Sequence, residues 1–173
     1  MTSKLNYYSS ICELGCFNGR ISLILREQLK DKKYVGYDIN FLAIFIAKLI
    51  SFLNLYKKNY FHCKNAIYSY NEKCELFVSV ATIIYFSEFE LKKFISYLKK
   101  NKFFKCLVIH EMFLDENVVN ENISVADGNL NIHSVKMIGK EFGNDYALNF
   151  ERTFYENWEK KGVISGILSI KKH

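Results

Sequence analysis

The stretch ICELGCFNGR, residues 11–20, restricts the fold more than any other part of the chain. An apolar run carries an acid, Glu13. It then passes Gly15 and Gly19, four positions apart, and reaches Arg20. This spacing predicts a strand that ends in a tight loop and feeds a helix. Glycines there allow close backbone approach to a ligand, and the helix start offers unpaired N–H groups. A helical pattern follows over 21–32, with Ile21, Leu25 and Leu29 on one face. KYVGYD (33–38) then reads as a second strand ending in Asp38, nineteen residues after Gly19.

The alternation continues along the chain. FLAIFIAKLISFLNLY (41–56) predicts a buried crossover helix; at sixteen residues with Lys48, Ser51 and Asn54 it is too short and too polar to span a bilayer. NYFHCKNA (59–66) suits a third strand, and 67–73 a loop. The long apolar run CELFVSVATIIYF (74–86) suits a strand buried on both faces. Ser87 and Glu90 form a capping box ahead of a helix over 87–101, and FFKCLVIHE (103–111) reads as a fifth strand. Residues 115–131, acidic and Asn-rich, predict a flexible excursion or lid, and 133–143 a short helix ending at Gly143. YALNFERTFYEN (146–157) and GVISGILSIKKH (162–173) predict a late antiparallel hairpin across the WEKKG link. Strands separated by helices imply a doubly wound, mostly parallel α/β sheet, a three-layer α/β/α sandwich closed by that hairpin. A length of 173 residues without an internal repeat or linker predicts one domain, 1–173.

Composition narrows the function classes. Half of the residues are hydrophobic and 24% are charged, as in an ordinary globule. The net charge of +6 is carried by lysine, with Arg20, Arg26 and Arg152 the only arginines. Recognition of nucleic acid favours arginine forks, so the charge carries no such signature. The five cysteines, Cys12, Cys16, Cys63, Cys74 and Cys106, include no CxxC pair. Their odd number and the lack of a leader predict a reduced, cytoplasmic chain; no metal site is expected. A homo- or hetero-oligomer stays open.

The segment Glu13-Leu14-Gly15-Cys16-Phe17-Asn18-Gly19 resembles the first motif of the class I S-adenosylmethionine-dependent methyltransferases, E/D-x-G-x-G-x-G. VGYD, CKNA and CELFVSVATIIYF follow in that family's order over the first 110 residues. Phe17 stands at the middle glycine, and about ten residues precede the first strand, a shortened N-terminus. The resemblance implies S-adenosylmethionine as cofactor. It implies that Glu13, Gly15, Cys16, Phe17, Gly19, Asp38, Ile39, Asn65, Ala66 and Ser79 line its site. Asp38 would hold the ribose hydroxyls and Asn65 the adenine; Glu13 would complement the amino group and the cationic end. Each acid has a local alternative: Glu13 capping the loop backbone, and Asp38 forming an Asx-turn.

Methyl transfer needs a base only when the nucleophile begins protonated. His110, with Glu111 beside it, is the first candidate; Thr82, Tyr85 and His133 are others, and His62 is assigned to packing. Neighbours on a strand point to opposite faces, so at most one of His110 and Glu111 meets an acceptor. The chain has no proline, hence no Asn/Asp-Pro-Pro-aromatic motif, which argues against DNA amino-methylation. O- or N-methylation of a small molecule, such as a sugar or glycan intermediate, is the leading expectation. A non-catalytic methyltransferase-like partner subunit and a nucleic-acid methyltransferase are the alternatives. A nicotinamide oxidoreductase on a similar fold fits the glycine spacing poorly.

Overall fold

The computed structural model describes residues 7–53, 58–114, 130–153 and 163–173. Among the described residues, eight strands form a mixed, mostly parallel sheet flanked by helices, with an antiparallel pair at its C-terminal end. The chain packs as two compact units, 1–78 with 101–105, and 79–100 with 106–173.

In the first unit, β1 (Ser10–Leu14) pairs in parallel with β2 (Lys33–Asp38), and β2 with β3 (Asn59–Cys63). All five residues of β1 are buried, as expected of a strand covered on both faces. Between β1 and β2 the expected single helix is two short pieces, α1 (Arg20–Ile24) and α2 (Arg26–Leu29). The break is Leu25, whose φ of −94° and ψ of 16° lie outside the helical range. Crossover helix α3 (Phe41–Leu53) opens on Asn40, whose Oδ1 accepts from Ala43 N–H at 3.0 Å. The expectation that α3 is buried is corrected: only Ala43, Ile44, Ala47 and Ser51 are, while seven of its large apolar side chains are exposed. Residues 67–71, expected as loop, belong to a 3-10 turn, Ala66–Asn71.

Strand β4 (Leu76–Val80) runs from the first unit into the second. It is much shorter than the expected 74–86. The chain turns at Ala81, whose φ is +51°, and enters a 3-10 turn, Ile83–Tyr85. Helix α4 (Glu88–Lys100) starts on the predicted capping box: Ser87 N–H donates to Glu90 Oε2 at 2.8 Å and Glu90 N–H to Ser87 Oγ at 3.2 Å. Its buried residues, Leu91, Phe94, Ile95 and Leu98, recur at helical spacing. Strand β5 (Cys106–Leu114) starts three residues later and ends three later than expected. A two-residue strand β6 (His133–Ser134) pairs with β5, and helix α5 (Val135–Phe142) ends at Gly143 as predicted. The late hairpin is present: β7 (Tyr146–Thr153) is antiparallel to β8 (Val163–Lys172), which is antiparallel to β5. The lid expected at 115–131 falls on residues 115–129, outside the described residues, as does the WEKKG link.

Candidate functional site

In the first unit the loop after β1 takes three left-handed residues, Gly15 (φ +69°), Phe17 (φ +47°) and Gly19 (φ +75°). Phe17 therefore holds, with a side chain, a backbone conformation that glycine adopts freely. Gly15 and Cys16 N–H both donate to Tyr37 O, at 2.7 and 3.0 Å, which ties the loop to the end of β2. Gly19 N–H closes the turn on Cys16 O at 2.8 Å. Gly36, on β2, makes room for it: a Cβ there would lie 2.6 Å from Cys16 Sγ and 2.9 Å from Phe61 Cδ1. Composition and motif spacing single out Gly15 and Gly19, but they miss Gly36. Its role depends on the packing of β2 beneath the loop.

Asp38 sits at the C-terminal end of β2, half-buried. Its Oδ2 accepts from Phe17 N–H at 2.9 Å and its Oδ1 from Asn40 N–H at 2.8 Å. The Asx-turn thus forms, and the same carboxylate also braces the loop. A carboxylate offers about four lone-pair positions, so two acceptor sites are left. Phe17 is 57% exposed.

Glu13 does not cap the loop backbone. Its carboxyl is buried and is held by the hydroxyl of Tyr34, itself on β2. Burial raises the Glu13 pKa to about 7; the Tyr34 hydrogen bond opposes the shift and the Asp38 charge adds to it. Burial also pushes the Cys16 thiol and the Tyr34 hydroxyl far up, which leaves both neutral. The sequence pattern missed two residues here, Tyr34 as the partner of Glu13 and Asn18. The Asn18 Oδ1 is a buried acceptor in the loop with no hydrogen-bond partner among the described residues. Such atoms are rare and mark a missing donor.

The other expected residues of this unit are spread around the strand ends. Ile39 follows Asp38 and is 74% exposed. Asn65 caps the 3-10 turn through Oδ1, which accepts from Ile67 N–H at 3.0 Å, leaving its amide hydrogens for other partners. Ala66 is buried in that turn. His62 stacks on Tyr37 with ring centroids 5.0 Å apart, a packing role as expected.

In the second unit Glu111, expected as a base, and Ser79, expected as a cofactor contact, belong to one hydrogen-bonded network. The Glu111 carboxylate is buried and accepts from four donors. Ser79 Oγ lies at 2.5 Å, Thr82 N–H at 2.9 Å, Ile83 N–H at 2.7 Å and Ile84 N–H at 2.7 Å. Burial raises its pKa against the pull of those hydrogen bonds. This arrangement ends β4 early: one carboxylate collects three consecutive N–H groups into the turn after Ala81. The Ser79 hydroxyl is taken up by the same network, and Thr82 Oγ1 donates to Val80 O at 3.1 Å. His110 follows the strand alternation and is half-buried on the opposite side of β5 from Glu111. Tyr85 is 62% exposed. His133 is buried, and its Nε2 donates to Phe86 O at 3.0 Å. Burial lowers its pKa, so the ring is neutral and structural. Among the described residues, no group of three or more His, Cys, Asp or Glu side chains is placed to hold a metal ion.

No protein-family model and no curated protein matches the sequence. The fold has solved counterparts. A geranyl diphosphate methyltransferase in complex with GPP and sinefungin superposes with a TM-score of 0.75 at 11% identity, over 99% of this chain and 77% of that one. A magnesium protoporphyrin IX methyltransferase from Synechocystis, with bound SAH, gives 0.67 at 18% identity over 94% and 73%. The methyltransferase domain of a bacterial Hen1 gives 0.66 at 14% identity over 98% and 92%. At these identities the likeness is one of fold, and that fold is the Rossmann-like fold of the class I S-adenosylmethionine-dependent methyltransferases.

Proposed function

We propose that the chain is an S-adenosylmethionine-dependent methyltransferase acting on a small molecule by O- or N-methylation, with sugar or glycan intermediates the first acceptors to screen. The observation that carries this reading is the carboxylate of Asp38. It lies at the end of β2, is held by one N–H from the glycine loop and one from Asn40, and keeps two acceptor positions for a vicinal diol. The loop offers a second match. Asn18 Oδ1 is an orphaned acceptor and Glu13 a carboxyl poised near neutrality, which suits an ammonium group that donates hydrogen bonds and favours the ionised acid. Small-molecule methyltransferases among the fold counterparts support the substrate class.

The residues assigned to the cofactor are Glu13, Gly15, Cys16, Phe17, Asn18, Gly19, Asp38, Ile39, Asn65 and Ala66. Gly15, Phe17 and Gly19 shape the backbone, Asp38 binds the ribose hydroxyls, and Ile39 supplies an apolar surface for the adenine. Asn65 donates through its amide hydrogens. When bound, the cofactor supplies an activated methyl group for in-line displacement. His110 is the proposed base for an acceptor that begins protonated. Glu111 and Ser79 are positioning residues, because their polar atoms are already engaged in holding the turn after β4.

Isothermal titration with S-adenosylmethionine tests the reading. The wild-type chain should bind, and Asp38→Ala should weaken binding by tenfold or more, since it removes both diol acceptors. Equal affinity in the two proteins, with the variant's fold intact by circular dichroism, overturns the site.

A further inference from the structure

Helix α3 is built inside out. Its buried stripe is made mostly of small residues, Ala43, Ala47 and Ser51, with Ile44. Its large residues face solvent: Phe41 (74% exposed), Leu42 (65%), Phe45 (56%), Ile46 (37%), Leu49 (47%), Phe52 (77%) and Leu53 (68%). Steps of three and four residues join these positions into one surface, so they are neighbours and not scattered apolar residues. Lys48 is the sole charged residue in the helix. An ordinary surface helix does the reverse, keeping its bulky apolar side chains inward.

The area decides what kind of partner fits. Seven large apolar side chains exposed to this degree present on the order of 800 Å². Monomers rarely leave so large a contiguous patch open. The same area is about what each partner contributes to a standard protein–protein interface. A membrane-surface helix would need a strongly basic polar face flanking the apolar one, which this helix lacks. A charged partner protein would find no complementary charge here. A second copy of the same helix meets neither obstacle. Across a two-fold axis a near-neutral apolar surface is its own complement, with Lys48 able to lie at the rim.

We propose that α3 is the interface of a symmetric homodimer, in which the helix of one protomer packs on the helix of its partner. The contact lies entirely within the first unit of each chain and is independent of the assigned methyltransferase chemistry.

Sedimentation velocity of the 173-residue chain tests this. At tens of micromolar the wild type should have a mass twice the 20.4 kDa of the chain. Phe45→Glu/Leu49→Glu, which puts two charges at the middle of the helix, should return it to a monomer with unchanged far-ultraviolet circular dichroism. Phe89→Glu, at an exposed aromatic on α4, should leave the dimer intact. If the first variant loses its circular dichroism, Leu42→Glu/Leu53→Glu at the helix ends takes its place. A wild-type monomer overturns the proposal, whether or not it floats with phosphatidylcholine vesicles. So does a dimer that survives the charged substitutions in a folded protein.

Discussion

Replacing Glu13 with glutamine should change how stability depends on pH, in a direction fixed by its burial. The carboxyl titrates near pH 7 in the folded chain against an ordinary value of 4.5. A raised acid pKa means that the folded state holds the proton more tightly than the unfolded state. Below pH 4.5 both states are protonated and the contribution is fully present. As pH rises from 4.5 to 7 the unfolded chain ionises first, and stability is lost; above 7 the loss is complete. A difference of about 2.5 units amounts to about 3 kcal/mol. Burial is nearly total, so solvent screening removes little of it. Glutamine is neutral at every pH, and its carbonyl can still accept the Tyr34 hydroxyl. Glu13→Gln should therefore gain on the wild type as pH rises, from near equality at pH 4.5 to about 3 kcal/mol at pH 8. Urea denaturation followed by circular dichroism at pH 4.5, 5.5, 6.5 and 8 measures this. Taking the difference between the two proteins cancels the other carboxyls, including Glu111, which is also raised, and Glu72 and Glu75, which are lowered. A difference that stays flat across these pH values refutes the reasoning. The same substitution removes the charge assigned to the cofactor's amino group, so the variant should be more stable at pH 8 and bind more weakly.

Three further outcomes follow from the geometry. Glu111→Ala takes the acceptor from Thr82 and Ile84 N–H and leaves Ile83 N–H only its longer contact to Ser79 Oγ at 3.3 Å, and thermal or urea unfolding should show a loss of about 2–4 kcal/mol. Glu111→Gln should cost less, because one oxygen remains to accept while an amide faces Ile84 N–H. Gly36→Ala should destabilise by about 1–3 kcal/mol through its clash with Cys16 and Phe61, and pairing it with Cys16→Gly should recover part of that loss. Cofactor affinity should fall about tenfold per pH unit below 7, where Glu13 must release its proton before it pairs with a cation; titration calorimetry in buffers of different ionisation heat would register the released proton.

Local pattern alone carried the order of strands and helices. Strand β2 begins and ends at the predicted residues, the Ser87–Glu90 box opens α4, and Gly143 closes α5, because these signals lie within a few positions of what they specify. The loop glycines and Asp38 were legible for the same reason: a left-handed backbone and a strand-end carboxylate leave a spacing in the chain. The truncation of β4 was not legible. Residues 74–86 have the composition of a long strand, and only Glu111, some thirty positions away, withdraws their N–H groups from a ladder. Burial was equally out of reach for α3. Its apolar content shows that it must be covered, but whether the covering is its own sheet depends on which residues the crossover turns inward.

The sequence by itself determined the alternation of elements, the strand–loop–helix around Gly15 and Gly19, and the position of an acid after the second strand, since hydrophobic period and turn chemistry act over short range. The tertiary structure decided that Tyr34 holds Glu13, that Glu111 anchors a turn, and that the bulky face of α3 looks outward. Each of those depends on groups distant in sequence sharing a low-dielectric interior, where a single buried carboxylate must find its donors and every apolar face must find a cover.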